Sequence, residues 1–284
     1  LDDYLLSEYL SLNKIFHGLF QEHVALIADQ SIDLIVTSPP YANQREALYG
    51  GIDEEMYPDW TVEWMRHAKR ILKPQGSVVI NIRPHISDGQ ISDYMLRTRL
   101  AVRQDGWREC DEWIWFKPDA PPLGNTHYPR RSWESLHWFS LDMHPFCDAK
   151  ADGTPSKKIG FTAKKGLGQQ FSGNSINKDG IARIIDVISA GIHDIDRSDY
   201  NTHPAQFPVS LIIPVIKTLC PPDGLVLDPF MGSGSTAIAA LRTGRSYVGF
   251  DKEAEYVEIA ERRIADHKEK SWAQRNEDWL ILPV

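Results

Sequence analysis

Ile32-Asp33-Leu34-Ile35-Val36-Thr37-Ser38-Pro39-Pro40-Tyr41 is an apolar run that enters a stiff double-proline turn. Leu225-Val226-Leu227-Asp228-Pro229-Phe230-Met231-Gly232-Ser233-Gly234-Ser235-Thr236 is a second apolar run that enters a glycine-rich one. Both read as buried strands that end in tight loops. In an open α/β sheet, ligands gather outside the carboxyl ends of such strands. The two loops are therefore expected to share one sheet edge, and the fold class is α/β.

Outward from these runs the same pattern continues. A short amphipathic helix is expected over 1–14, leading into a strand near Ile15. Thr61 to Leu72 reads as a helix with Val62, Met65, Ala68 and Leu72 on one face, stopped by Lys73-Pro74-Gln75-Gly76. Ser77 to Ile82 reads as a strand and Ile91 to Gln104 as a helix. Trp113 to Lys117 and Leu136 to Ser140 read as an antiparallel strand pair. Residues 142–200 have recurrent glycines and poor periodicity until Ile181–Ile188, which suits an insertion facing the substrate. A helix is expected from Pro208 to Leu219, its first turn set by Pro208 and kinked at Pro214. Strand Leu225–Asp228, helix Ser235–Arg242, strand Ser246–Asp251 and helix Glu253–Lys268 follow. The chain divides into 1–141, 142–200 and 201–284, the outer parts forming one domain.

Composition narrows the classes. The chain has 284 residues, 42% hydrophobic and 25% charged, which suits one or two globular domains. Its only long apolar-rich stretch, Phe207 to Leu219, is too short and too interrupted to span a membrane. No signal peptide is evident, and because the chain opens at Leu1 the natural start is expected upstream. Cys110, Cys147 and Cys220 are odd in number and lack metal-ligand spacing, so a reducing cytoplasm and no metal are expected. The net charge is −8, yet residues 117–183 hold ten Lys and Arg against six Asp and Glu. An acidic body with a basic insert can still hold phosphates. The plain alternative is a solvated, lysine-rich loop.

Gly232-Ser233-Gly234-Ser235-Thr236-Ala237 fits a dinucleotide fingerprint, and Asp251 stands where a ribose-binding acid would. Three details favour S-adenosylmethionine over a nicotinamide. Asp228 at the strand tip would repel a pyrophosphate but can pair with an α-ammonium. The loop lacks the lysine of a P-loop. Too few residues follow Asp251 to complete a dinucleotide fold, so the earlier half must finish the sheet. The plain alternative is a turn that packs a helix on a strand.

The other loop suits a flat base with an amino group. Such a nitrogen is a poor nucleophile because its lone pair is delocalised into the ring. Ser38 Oγ and the Pro39 carbonyl can accept its N–H bonds, Pro39 and Pro40 stiffen the turn, and Tyr41 can stack on the base. A duplex hides that nitrogen, so the nucleotide must be flipped out. Carbon-5 methylation needs a cysteine nucleophile in a Pro-Cys-Gln loop, and none of the three cysteines has one.

On Thr37–Tyr41, Asp228–Gly234 and Asp251, the chain resembles the β group of bacterial DNA amino-methyltransferases, in which the catalytic motif precedes the cofactor motif. The likeness covers nearly the whole chain. It implies a Rossmann-like S-adenosylmethionine-dependent methyltransferase fold, circularly permuted in motif order, with a mixed seven-stranded sheet and an antiparallel edge strand. It implies cofactor contacts from Asp228, Pro229, Phe230, Gly232, Gly234, Ser235, Thr236 and Asp251, and from the segment carrying His203, Pro204 and Phe207. Ser38 before Pro-Pro-Tyr, Tyr41-Ala-Asn-Gln-Arg45, and the Trp115–Pro118 and Trp138–Ser140 regions are similar to cytosine-N4 members. Adenine-N6 members mostly carry Asp or Asn at the Ser38 position. The target-recognition region is expected at 142–200.

The family usually has Gly-Asp before the catalytic strand, where this chain has Gly18-Leu19, so adenine recognition is expected from elsewhere. A catalytically silent DNA-binding relative is the alternative this departure raises. Double-stranded DNA is the expected partner, with Arg45, Arg130, Arg131, Lys157, Lys158, Lys164 and Lys165 as candidate contacts. A separately acting restriction endonuclease would complete a restriction–modification system. The assembly is expected to be a monomer or a homodimer in the bacterial cytoplasm.

Overall fold

The computed structural model describes residues 11–43, 51–87, 89–121, 127, 129–156, 179–192 and 207–280. In chain order its elements are β1 (Lys14–His17), α1 (Phe20–His23), β2 (Ile32–Thr37), α2 (Tyr57–Ile71), β3 (Leu72–Ile82), β4 (Ile86–Ser87), β5 (Gln90–Ile91) and α3 (Tyr94–Gln104). Then come β6 (Arg108–Phe116), β7 (Trp133–Ser140), β8 (Thr154–Pro155), β9 (Ile181–Ala182), β10 (Val187–Ser189), α4 (Val209–Leu219), β11 (Leu225–Asp228), α5 (Ser235–Arg242), β12 (Ser246–Asp251) and α6 (Ala254–Leu280).

The main sheet runs β1-β12-β11-β2-β3-β7-β6-β10. Only β7 runs against the rest, pairing antiparallel with both β3 and β6. The expected mixed α/β sheet is present with two differences. It has eight strands rather than seven, because β10 adds to β6 in parallel. Its antiparallel strand is internal rather than at the edge, because β6 pairs with the side of β7 away from β3.

All six residues of β2 are buried, as a strand covered on both faces must be. The pleat sends alternate side chains to opposite layers. Leu34, Val36 and Val226 join a core with α4, α5 and α6, while Ile35 and Leu227 join one with α1, α2 and α3. Each fully buried aliphatic side chain contributes about 1.5–3 kcal/mol. Asp33 is the exception in this apolar strand. Its carboxylate pairs with Lys73 Nζ at 2.8 Å and accepts the Leu225 amide at 2.8 Å, fixing the amino end of β11 against β2.

Several boundaries differ from expectation. Residues 11–13 are not helical, and the rest of the expected first helix lies outside the described residues. α2 ends at Ile71, just before the expected stop, but β3 begins at Leu72 rather than Ser77 and shifts register against β2 before Ser77. Ile91 closes a small hairpin with Ile86, and α3 starts at Tyr94. Pro208 is the N-cap of α4, and Pro214 sits inside that helix, which runs unbroken to Leu219.

The antiparallel strand β7 delivers the chain to the amino edge of the parallel strands. There Phe146 N donates to Gln75 O, Asp148 N to Thr218 O, and Lys217 pairs with Asp152 at 2.8 Å. The described residues 142–156, with β8 and β9, therefore pack at the edge opposite the two motif loops, and residues 157–178 and 193–200 of the expected insertion lie outside the described residues. Among the described residues, β10 carries the chain back, with Ala190 N bonded to Phe116 O at the carboxyl edge.

Candidate active site at the carboxyl edge of the sheet

β2 and β11 are parallel neighbours, with Leu34 level with Val226 and Ile35 with Leu227. Their loops therefore leave the same edge side by side. Thr37 Oγ donates to Asp228 Oδ1 at 2.6 Å, joining the strand ends directly. Asp228 Oδ1 also accepts the Phe230 amide at 3.0 Å, an Asx turn that starts the loop, and Oδ2 accepts Thr236 Oγ at 2.6 Å. The side chain is fully buried. Burial pushes its carboxyl up to about 6, against the opposing pull of its three hydrogen bonds. Both of its oxygens accept hydrogen bonds inside the protein, so Asp228 clamps strand, loop and helix together.

The glycine loop follows from local conformation. Gly232 (φ +52°) and Gly234 (φ +85°) are both left-handed, where a side chain is strained. Gly234 caps α5, and a Cβ there would lie 3.0 Å from that of Ala260. Asp251, at the end of β12, accepts the Gly232 amide at 2.8 Å and the Glu253 amide at 3.0 Å. Burial raises its pKa as well. From behind, buried Arg263 of α6 donates to Ser233 O at 2.6 Å and Ser233 Oγ at 2.8 Å. Phe230 packs against Trp60 (centroids 5.4 Å apart) and edge-on to Trp64 (5.7 Å) of α2. The Ser235 and Thr236 side chains and Pro229 are buried in the same turn.

The proline loop rests on a polar network that spacing did not reveal. Pro39 is buried, while Ser38, Pro40 and Tyr41 are half-buried. Asn81, near the end of β3, directs Nδ2 to Tyr41 Oη at 3.0 Å, Glu134 Oε2 at 2.9 Å and, more weakly, Ser38 Oγ at 3.4 Å. Tyr41 Oη donates to Glu134 Oε2 at 2.6 Å. Lys117, just past β6, ion-pairs with Glu134 Oε1, and its ammonium lies 4.0 Å from the Trp115 ring centroid. Arg83 Nη1 is 4.0 Å from the same carboxylate. Burial, then the charge of Glu134, pushes the Tyr41 phenol well above its ordinary range. The Tyr41 hydroxyl, expected only as the tip of a stacking ring, is thus a fixed member of this network.

Of the remaining expected residues, Phe207 is buried in the core with α4. Arg130 is exposed. Arg131 donates to Pro84 O at 2.5 Å, which holds it at the site's edge. Arg45, Lys157, Lys158, Lys164, Lys165, His203 and Pro204 lie outside the described residues. Asn81, Lys117, Glu134 and Arg263 were missed. The available signal was Glu134 itself, a charge inside an otherwise buried strand that demands a partner.

The profile of the N6/N4 DNA methylase family matches residues 32–262, which includes both loops. Type II methyltransferase M.PvuII of Proteus hauseri is 28% identical over 90% of this chain and 85% of its own. M.HinfI of Haemophilus influenzae is 28% identical over 90% of this chain and 69% of its own. The structure of PvuII DNA methyltransferase (cytosine-N4-specific) superposes with a TM-score of 0.70 at 25% identity, covering 90% of this chain and 87% of that one. M1.HpyAVI, solved as a complex with S-adenosylmethionine, shares the fold with a TM-score of 0.54 at 19% identity, covering 88% of this chain and 98% of that one. With a match over most of its length and both motif loops at one sheet edge, this chain belongs to the N6/N4 DNA methylase family.

Proposed function

We propose that the protein is a site-specific DNA methyltransferase that uses S-adenosylmethionine and acts on the exocyclic N4 amine of cytosine. The observation that carries this reading is the Thr37–Asp228 hydrogen bond, which sets a Ser-Pro-Pro-Tyr loop beside a glycine loop. The donor set fits the cofactor: left-handed glycines allow close backbone approach, the amino end of α5 opens at the loop, and Asp251 offers a carboxylate suited to a ribose diol. When bound, S-adenosylmethionine supplies a methyl group on positively charged sulfur. Ser38 and the Pro39 carbonyl hold the amine's hydrogens and turn its lone pair toward that methyl, so rate comes mainly from alignment. The nucleotide is flipped from the duplex to reach this loop.

Serine at position 38 and the likeness to a cytosine-N4-specific enzyme support cytosine over adenine. Phosphate contacts are assigned to Arg130 and the basic residues of the 157–165 stretch. The test is methylation of unmodified phage DNA with labelled cofactor, followed by digestion to nucleosides. N4-methylcytosine is the expected product. N6-methyladenine would move the reading to the other half of the family, and no cofactor binding would point to a silent relative.

A further inference from the structure

Three cations converge behind the proline loop on one buried carboxylate. Glu134, 6% exposed, ion-pairs with Lys117, and Arg83 Nη1 stands 4.0 Å from the same carboxylate. Arg131 is tied to the same place: its Nη2 donates at 2.5 Å to the carbonyl of Pro84, the residue after Arg83. Glu54, the other carboxylate near Tyr94, does not restore the balance, because it faces His85 at 3.1 Å and Arg97 at 3.7 Å. Among the described residues no carboxylate lies within ion-pair distance of Arg131, and Arg83 Nε is buried without a hydrogen-bond partner. Burial, then the charge of Arg83, holds the Arg131 guanidinium below its ordinary range. Buried and half-buried charges are normally paired. In a chain of net charge −8, a positive excess kept at the carboxyl edge points to an anion from outside.

The position of this excess says which anion. Glu134 accepts the Tyr41 hydroxyl at 2.6 Å, and Tyr41 closes the loop that would hold the target amine. Asn81, two residues before Arg83, donates to the same hydroxyl at 3.0 Å. We propose that Arg83 and Arg131 together clamp the DNA phosphate next to the flipped nucleotide, and so act as positioning residues for the methyl acceptor. A guanidinium presents a planar fork of donors that matches the oxygens of a phosphate. Swinging a nucleotide out of the stack rotates it about its backbone, and phosphate contacts fix register and orientation. Two arginines anchored inside the protein hold that rotated backbone still. Glu134 keeps Arg83 beside the loop, and the Pro84 carbonyl does the same for Arg131. The exposed Arg130 and the 157–165 stretch would add affinity along the duplex, whereas the clamp places the base.

This inference rests on the DNA methyltransferase reading, and one experiment separates the two. Initial methylation rates on unmodified phage DNA are measured for wild type, Arg83→Gln, Arg131→Gln and Arg83→Lys. Affinity for fragments of the same DNA is followed by gel shift over a range of salt, and S-adenosylmethionine binding by calorimetry. A wild type that transfers no methyl group overturns the parent reading, whereas the clamp is judged on the variants. Both Gln variants are expected to bind cofactor within about threefold of wild type. Both should raise KM for DNA by about tenfold, as for a lost charge-assisted hydrogen bond. Both should also reduce the slope of log affinity against log salt by about 0.9, the signature of one phosphate contact. A merely structural role would not move that slope. Arg83→Lys, which keeps the charge and loses the fork, should recover the salt slope and only part of the KM. A wild-type KM and salt slope in either Gln variant overturns the clamp and leaves the parent reading intact. An equal loss of cofactor binding also overturns it, since the arginines would then serve the cofactor's carboxylate or the fold. Should Arg83→Gln not fold, Arg131→Gln, which breaks no ion pair among the described residues, decides on the same measurements.

Discussion

Thr37 and Asp228, 191 residues apart in the chain, share a 2.6 Å hydrogen bond at the ends of neighbouring parallel strands. Through it the two motif loops are one structure. The Thr236 hydroxyl and the Phe230 amide complete the shell around the same carboxylate.

Thr37→Val keeps the shape of the side chain and removes the donor. The buried Asp228 oxygen is then left with the Phe230 amide alone, at a cost of about 1–3 kcal/mol. Urea unfolding should show a lower midpoint with an unchanged slope. An unaltered midpoint would mean that the bond does not hold the loops together.

Asp228 also sets a pH dependence. Its carboxyl is raised from 3.8 unfolded to about 6 folded. Below 3.8 both states hold the proton and its contribution is complete. As pH rises toward 6 the unfolded chain ionises first, so stability falls, and above 6 about 3 kcal/mol has been lost. Asp228→Asn does not titrate. Relative to wild type its stability should improve by about 1 kcal/mol between about pH 5 and about pH 7.5 in urea unfolding, and a constant difference would refute the burial argument.

Gly234→Ala places a Cβ in a left-handed residue and against Ala260. The expected loss is about 1–2 kcal/mol, seen as a lower melting temperature, together with weaker S-adenosylmethionine binding by calorimetry. A variant that melts and binds like wild type would show that the loop tolerates a side chain.

Asp251→Ala removes the acceptor of the Gly232 amide along with the carboxylate assigned to the ribose. Cofactor affinity should fall by about tenfold to a hundredfold, as expected for a lost charge-assisted hydrogen bond. Calorimetry checks this, with circular dichroism to confirm the fold; unchanged affinity would remove Asp251 from the cofactor site.

The strands, their loops and the order of the two motifs were legible because each is a local pattern. An apolar run followed by Pro-Pro or Gly-x-Gly constrains the backbone wherever it stands in a sheet. The pairing of β2 with β11 was also within reach, since ligands gather at strand ends in this class of sheet.

What lay beyond reach depended on strand order and direction. Tyr41 and Glu134 are 93 residues apart, and they meet because β7 runs antiparallel and starts at the edge where β2 stops. The same reversal carries residues 142–156 to the far edge, away from the loops. Local sequence writes each strand and turn, because those follow from backbone sterics and side-chain periodicity. Which buried charge faces which hydroxyl follows from how distant strands align, and that is a property of the assembled sheet.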